Sequence, residues 1–342
     1  MPPPPHRPGV LAWQVFRGSD AIRQELITEH QLRSSAWLRL RHDVYADSRL
    51  AADHALACRA AALRLPPEAV VAGPSAAYLH GVAHAASFTD DVHLLVPRSM
   101  RPGPQRGLRV HSAGPTTLHR PTPGGPSGGR PPTMGGLKVA GLRTAGVPVS
   151  TDPASAAWET AVWLEPLRAV GIVDTLLRQG LTSRDALHEV AARNAERPGG
   201  RRARWVFELA DPGAGSPAES QLRVRLVLAG LPRPAVRPPV RATSGLVLRP
   251  DLAWPVHRVA VVHTEPPTAA GLLAQTETEA ASRTAVGRGA RAAAAVGHFD
   301  RVAQLVGAGW LVLPVTDRRL RQDFPAVLRE VQAALTARGW RS

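Results

Sequence analysis

The sequence predicts a mixed α+β chain built from several units, and three features carry that expectation. Between residues 19 and 47, two short helical stretches run into a strand that alternates apolar and basic residues. Between residues 216 and 338, a capped helix precedes three extended segments, and a further strand follows, flanked by helices. The region between them reads as α/β followed by helices, interrupted from Gly114 to Gly136 by a run dense in Pro, Gly and Thr. At 342 residues and 44% hydrophobic content, the chain can bury cores in two or three units.

Arg plus Lys number 42 against 27 acidic residues, a net charge of +15. That balance favours a polyanionic partner, nucleic acid first and an anionic membrane second. Lys138 is the only lysine, and its setting, Gly136-Leu137-Lys138-Val139, resembles no lysine-based catalytic site. A single Cys58 in an Ala-rich stretch excludes an internal disulfide and reads as a buried small residue in a reducing compartment. No apolar run nears the ~18 residues a membrane helix needs. The Pro-rich residues 1–18 read as a disordered N-terminus rather than a secretory signal. A cytoplasmic protein with no membrane partner is the expectation.

Residues 19–50 form the first predicted unit. Asp20 to Ile27 and Glu29 to Ala36 read as short helices, and the second enters Trp37-Leu38-Arg39-Leu40-Arg41. Alternation puts Leu38 and Leu40 on an inward face, with Trp37, Arg39 and Arg41 on an outward one. His42-Asp43 predicts a tight turn into Val44-Tyr45, because Asp is one of the few residues that tolerate positive φ. Two helices and a basic hairpin are the outline of a winged helix-turn-helix, whose second helix enters the DNA major groove while the wing touches phosphate. A structural cap with solvated arginines is the alternative. The run Leu32-Arg33-Ser34-Ser35-Ala36-Trp37-Leu38-Arg39-Leu40, followed by Val44-Tyr45, resembles the N-terminal domain of AbiEi-type antitoxins. These are the regulator half of type IV toxin-antitoxin systems, and they usually carry Gly where this chain has Asp43. The resemblance implies a transcriptional regulator that contacts double-stranded DNA through Arg33, Arg39 and Arg41, with a cognate toxin or other protein as a further partner.

Residues 51–200 extend the resemblance. An Ala-rich helix leads to Ala72-Gly73-Pro74-Ser75-Ala76-Ala77-Tyr78-Leu79-His80-Gly81-Val82 and the strand Val92-His93-Leu94-Leu95-Val96-Pro97. Antitoxins of this kind carry a similar Ser-Ala-Ala-x-Leu-x-Gly stretch, whose small residues suit a helix packed closely on a sheet. His80 and His84 are four apart, a metal-compatible spacing. Gly81 weakens the helix between them and no third ligand is spaced to join, so packing or solvent contact is expected. The run at 114–136 reads as a loop without a core of its own. Asp152 caps a helix with Pro153 at its first position, and Thr182 with Asp185 caps another, with Leu167 to Arg178 between them. Residues 201–215 read as a linker, overlapping a Gly/Arg-rich hinge from Arg197 to Arg204.

The last unit, residues 216–338, opens with Ser216-Pro217-Ala218-Glu219. Its helix aligns Leu222, Leu226 and Val227 and ends at Gly230 and Pro232. Extended segments follow at Ala235 to Val240, Leu246 to Ala253 and Arg258 to His263. A helix near Arg288 to Val306, a strand Trp310 to Val315 and a helix Phe324 to Arg338 complete it. With Arg249-Pro250-Asp251-Leu252-Ala253-Trp254-Pro255 and Arg258-Val259-Ala260-Val261-Val262-His263-Thr264, this order resembles the very-short-patch-repair-like endonuclease domain of the PD-(D/E)XK superfamily. The resemblance implies a restriction-endonuclease-like α/β fold that cleaves DNA with a hard cation such as Mg, held by carboxylates on adjacent strands.

Asp251 stands at the first metal carboxylate of that pattern, and Glu219 at the helix glutamate that assists. Glu219 is also the N3 residue of a Ser-Pro-Ala-Glu capping box, which explains it without chemistry. The positions that normally carry Glu and, two residues later, an acidic residue or Lys hold Val262 and Thr264. His263 and Glu265 fall on the face opposite Val262 if the strand is regular. The expected reading is a binder with a catalytically inactive nuclease-like domain and no cofactor. The alternative is a Mg-dependent endodeoxyribonuclease using Asp251 and Glu219 with a replacement ligand. No Lys-Ser/Thr phosphate loop, Cys-x-x-Cys, His-Glu-x-x-His or Gly-x-Ser-x-Gly occurs. Trp158, Trp163, Trp254 and Trp310 read as core, while Trp205 and Trp340 are free to stack on bases or a partner.

Overall fold

A computed structural model of the chain describes residues 6–66, 68–100, 103, 105–113, 141–242, 245–264 and 302–341. They fall into two units, Met1–Glu165 with Gln179–Phe207, and Pro166–Arg178 with Glu208–Ser342. The expected loop at 114–136, Lys138, Glu265 and most of the helix near Arg288 to Val306 lie outside the described residues.

The first unit begins with β1 (Val15–Arg17), α1 (Gly18–Arg23), α2 (Glu29–Leu32), β2 (Trp37–Arg41) and β3 (Val44–Asp47). The strands form an antiparallel sheet in the order β1-β3-β2. The turn falls where expected, with Asp43 at φ 60°. Its carboxylate accepts bonds from Ser19 N and Ser19 Oγ, both at 2.7 Å, and from Arg17 Nε at 2.8 Å. The hairpin tip thereby satisfies a backbone N–H at the start of α1. Burial pushes the Asp43 carboxyl up, but the Ser19 and Arg17 bonds outweigh it and hold its pKa below the ordinary value. Helix α2 is a single turn, closed by a capping box between Thr28 and Gln31.

Both faces of this sheet are covered, which corrects the outward placement of Trp37. Trp37 meets Phe16 edge-on at 5.2 Å and packs with Ile27 and Leu32. Leu38 and Leu40 pack on a second cluster that includes Val44, Ala46 and Leu56. Alternation assigns parity correctly; it does not reveal that residues from α1, α2 and their connection cover the second face.

The first unit continues through α3 (His54–Ala62), β4 (Val70–Val71), α4 (Gly73–Leu79), β5 (Val92–Pro97) and β6 (Leu108–Ala113). Here β4-β5-β6 form a sheet with β5 and β6 parallel. Ser75, Ala76 and Ala77 are all buried, as a closely packed helix requires. Cys58 is buried as expected, and burial pushes its thiol up to about 12. Helices α5 (Pro153–Trp163), α7 (Arg184–Arg193) and α8 (Gly200–Leu209) follow, while α6 (Pro166–Arg178) belongs to the second unit. Helix α8 occupies most of the stretch that composition reads as a linker. Ala203, Val206, Phe207 and Ala210 are buried at helical spacing, an apolar stripe that the surrounding arginines obscure.

In the second unit, α6 packs on α9 (Pro217–Leu228) through a buried ion pair, Arg223 Nη2 to Asp174 Oδ2 at 2.8 Å. Ser220 Oγ and the Asp211 N–H also donate to Asp174, each at 2.7 Å. Strands β7 (Ala235–Val236), β8 (Val240–Arg241), β9 (Val247–Leu248), β10 (Leu252–Trp254), β11 (Val259–Thr264) and β12 (Leu311–Thr316) follow. Helices α10 (Asp317–Gln322) and α11 (Phe324–Ala337) come last, and residues 302–307 are helical. The main sheet runs β12-β11-β10-β7, with only β11 and β12 parallel, and β8-β9 pair separately. Leu222, Leu226, Leu252, Trp254, Val261 and Val331 form one core, and Val240, Leu248, Val262 and Leu305 another. No helix among the described residues is long and apolar enough to cross a membrane.

Candidate functional site

The sequence places Asp251 at the entrance to β10 and Glu219 in the first turn of α9, and the structure brings both to one guanidinium. Arg237 Nη2 lies 3.0 Å from Glu219 Oε1, 3.2 Å from Glu219 Oε2 and 3.5 Å from Asp251 Oδ1. The backbone joins in, since Arg237 N–H donates to Asp251 O at 3.1 Å. Arg237 holds φ at 47°, a left-handed conformation that is costly for a side-chain-bearing residue.

The capping box forms by half. Ser216 Oγ accepts from Glu219 N–H at 3.2 Å, but the Glu219 carboxylate accepts instead from Gly215 N–H at 2.7 Å. A Cβ at Gly215 would lie 2.0 Å from Arg237 Nη2, so any larger residue there would displace the guanidinium from its present place. The Glu219 carboxylate also accepts from the N-cap hydroxyl, Ser216 Oγ, at 3.4 Å and faces the Arg237 guanidinium.

Asp251 also accepts a bond from the backbone N–H of His263, Oδ2 to N at 2.8 Å. Burial, and then the charge of Glu219, push its pKa above the ordinary carboxylate value despite Arg237. His263 Nε2 lies 2.7 Å from Asp317 Oδ1, and Arg321 approaches the other oxygen of Asp317 at 3.4 Å. Parallel pairing of β11 with β12 sets His263 opposite Val315 and Thr264 opposite Thr316. Asp317, the first residue after β12, is carried to the same sheet end.

Leu252 pairs with Val261, so the next position out sets Val262 across from Asp251. Val262 is buried in the cluster of Val240, Leu248 and Leu305 and offers no ligand. Thr264 closes β11. Among the described residues, no group of three His, Cys, Asp or Glu is disposed to hold a metal ion. One guanidinium, Arg237, thus serves both Asp251 and Glu219 from within the chain. A guanidinium fixed between two carboxylates supplies charge, but no coordination position for water or phosphate oxygen.

In the first unit, Arg33 is exposed at the end of α2, 4.0 Å from Glu29, and Arg39 is exposed on β2. Arg41 has partners within its own unit. Its guanidinium donates to Arg106 O at 2.8 Å and Gly107 O at 2.9 Å, and burial, with Arg64 nearby, lowers its pKa. It holds the turn before β6. His80 bonds Thr151 O at 2.7 Å, in keeping with a packing role. Trp158 and Trp254 are buried, Trp163 and Trp310 partly so, while Trp340 packs on the second unit's core and Trp205 is exposed.

Sequence reasoning missed Arg237, Gly215 and Asp317. Arg237 stands in a Pro-rich stretch with no periodicity, and Gly215 reads as one more linker glycine. Asp317 carries one usable signal, a carboxylate directly after a strand and at the start of a helix capped by Thr316.

No known family profile and no solved structure matches this chain. Two mycobacterial proteins do resemble it, "Uncharacterized protein MT2308" and "Uncharacterized protein Rv2248", from two strains of Mycobacterium tuberculosis. Each is 30% identical over 240 residues, covering 70% of this chain and 76% of the relative. The chain belongs to the family of these two mycobacterial proteins.

Proposed function

We propose that the chain is a cytoplasmic DNA-binding protein, an antitoxin-like transcriptional regulator whose C-terminal nuclease-like domain does not cleave. The observation that carries the binding half is the arrangement of residues 15–47. Two helices lie between β1 and β2, the sheet runs β1-β3-β2, and exposed Arg33 and Arg39 flank the strand entry and the hairpin. A winged helix-turn-helix reader uses this order, with its helix presented to the groove and its hairpin to phosphate. The net charge of +15 supplies the sequence-independent attraction. Arg237 between Glu219 and Asp251 supports the non-cleaving half, since the position where carboxylates would gather a cation already holds one.

Fluorescence anisotropy with the protein's own upstream DNA and a shuffled duplex, across a salt series, tests this reading. A preference for the upstream sequence at physiological salt supports a regulator. Equal and steeply salt-dependent binding to both duplexes contradicts it.

One observation favours a second reading, a metal-dependent DNA endonuclease. The buried His263 bonded to Asp317 beside Asp251 is an oriented imidazole of the kind that moves protons. Cleavage of duplex DNA with Mg or Mn that disappears in Asp251→Asn would favour the enzyme.

A further inference from the structure

We propose that the outward face of α8, with Trp205 at its centre and Arg201 and Arg204 beside it, binds an unpaired nucleic-acid strand. A base stacks on the indole while the guanidinium groups take the flanking phosphates. This surface lies outside the duplex reader proposed at residues 15–47 and does not rest on it.

Burial divides α8 into two faces. Ala203, Val206 and Phe207 are buried, and Arg201, Arg204, Trp205 and Glu208 stand in solvent. Helical spacing puts Arg201 one turn before Trp205 on the same side, with Arg202 and Arg204 at its two flanks. The start of the helix is tied to α5. Arg202 donates to Leu164 O at the end of α5, and a Cβ on Gly199 would lie 2.7 Å from Val162 Cγ1 of that helix. The outward side chains therefore project from a fixed element.

Trp205 is 37% exposed, and among the described residues no ring or guanidinium lies on it. The other tryptophans with an arginine at hand are covered: Arg49 lies 4.4 Å over the Trp13 ring and Arg197 4.8 Å over that of Trp158. An exposed indole face without a partner is what a base needs for stacking.

The charge around the indole is also unspent. Among the described residues, neither Arg201 nor Arg204 forms an ion pair. Glu208 is the only acidic residue of α8, one turn beyond Arg204 at a spacing that permits pairing, yet the two do not pair. Three arginines against one glutamate favour a polyanion, and phosphate oxygens suit the planar guanidinium. In a duplex the base faces are stacked on one another, so an indole set among arginines matches a strand whose bases are unpaired.

Fluorescence anisotropy of the full chain with labelled oligothymidylate and oligouridylate tests this, with an abasic strand of equal length as the charge control. At least one base-bearing strand is expected to bind with Kd of about 10⁻⁶ to 10⁻⁴ M at physiological salt, and the tighter of the two identifies DNA or RNA as the source. The abasic strand is expected to bind at least about fivefold more weakly, for want of a stacked base. Trp205→Leu keeps apolar bulk without a π face and is expected to weaken the base-bearing strand at least about fivefold, with Trp205→Phe recovering most of the loss. Arg201→Ala/Arg204→Ala should make the log–log salt dependence shallower by about 1.4, as two lost phosphate contacts on a single strand imply. Far-UV circular dichroism and the melting temperature report that each variant is folded. Absence of binding to both base-bearing strands overturns the proposal, as does equal affinity for the abasic strand or unchanged affinity in folded Trp205→Leu. So does a loss of strand binding in Arg33→Ala/Arg39→Ala as large as in the α8 variants. Strand binding that persists without any preference for the upstream duplex upholds this surface and overturns only the reader.

Discussion

Arg237 Nη2 sits 3.0 Å from Glu219 Oε1, and the same nitrogen reaches Asp251 at 3.5 Å. Removing the guanidinium takes away the one positive charge that Glu219 and Asp251 share. Arg237→Gly makes this change and also relaxes the left-handed φ of 47°. Wild-type melting is expected to be indifferent to Mn²⁺, whereas the variant is expected to melt lower without metal and to gain stability as Mn²⁺ is added. Equal Mn²⁺ stabilisation of both proteins would show that Arg237 does not stand in for a cation.

Asp174 and Arg223 make a fully buried ion pair in the second unit, at 0% and 1% side-chain exposure. Arg223 also donates to Leu209 O. Asp174→Ala strands a buried guanidinium and is expected to cost about 3–5 kcal/mol. The double variant Asp174→Leu with Arg223→Met should lose less, because no unpaired charge remains. Urea denaturation of the three proteins measures the ranking, and a double variant worse than the single would contradict it.

The hairpin turn is legible in the sequence because a local rule governs it, the tolerance of Asp43 for positive φ. The partners that make Asp43 structural, Ser19 and Arg17, are more than twenty residues away and carry no local signature. The same limit explains Trp37, Arg41 and α6. Alternation tells which side chains share a face, and only the tertiary arrangement tells which face is covered or that Arg41 meets the carbonyls of Arg106 and Gly107. Helix α6 joins the second unit through Asp174, whose partner Arg223 is 49 residues away. At the candidate site, Asp251, Glu219 and Val262 were readable because motif spacing singles them out. Arg237 and Asp317 were not, because their roles arise from strand pairing and from a single guanidinium reaching across a loop.

The Asp43 carboxylate makes three bonds that anchor the hairpin to the start of α1. Asp43→Ala removes all three and keeps an unfavourable positive φ, so a loss of about 2 kcal/mol is expected. Asp43→Asn retains the turn preference and part of the bonding and should lose less. Thermal melts of both variants check the order.

Glu159 ties protonation to stability. Its pKa rises from the ordinary 4.5 to about 8 on folding, so the folded state holds a proton that the unfolded state gives up between these values. The contribution is fully present below about 4.5 and is lost as pH rises through about 8. Glu159→Gln keeps an acceptor for Gly73 and Thr151 without titrating. Its melting temperature is expected to change less than the wild type's between pH 5 and pH 8, and parallel slopes would contradict the assignment.

DNA affinity of paired arginine variants tests the proposed regulator most directly. Anisotropy titrations with upstream and shuffled duplexes across salt would compare Arg33→Ala/Arg39→Ala with a control, Arg318→Ala/Arg329→Ala, from exposed arginines of the second unit. The wild type and the control are expected to prefer the upstream duplex. The Arg33/Arg39 variant should lose that preference and show a log–log salt dependence shallower by about 2. Equal loss in both double variants, or no loss in either, would contradict a DNA reader at residues 15–47.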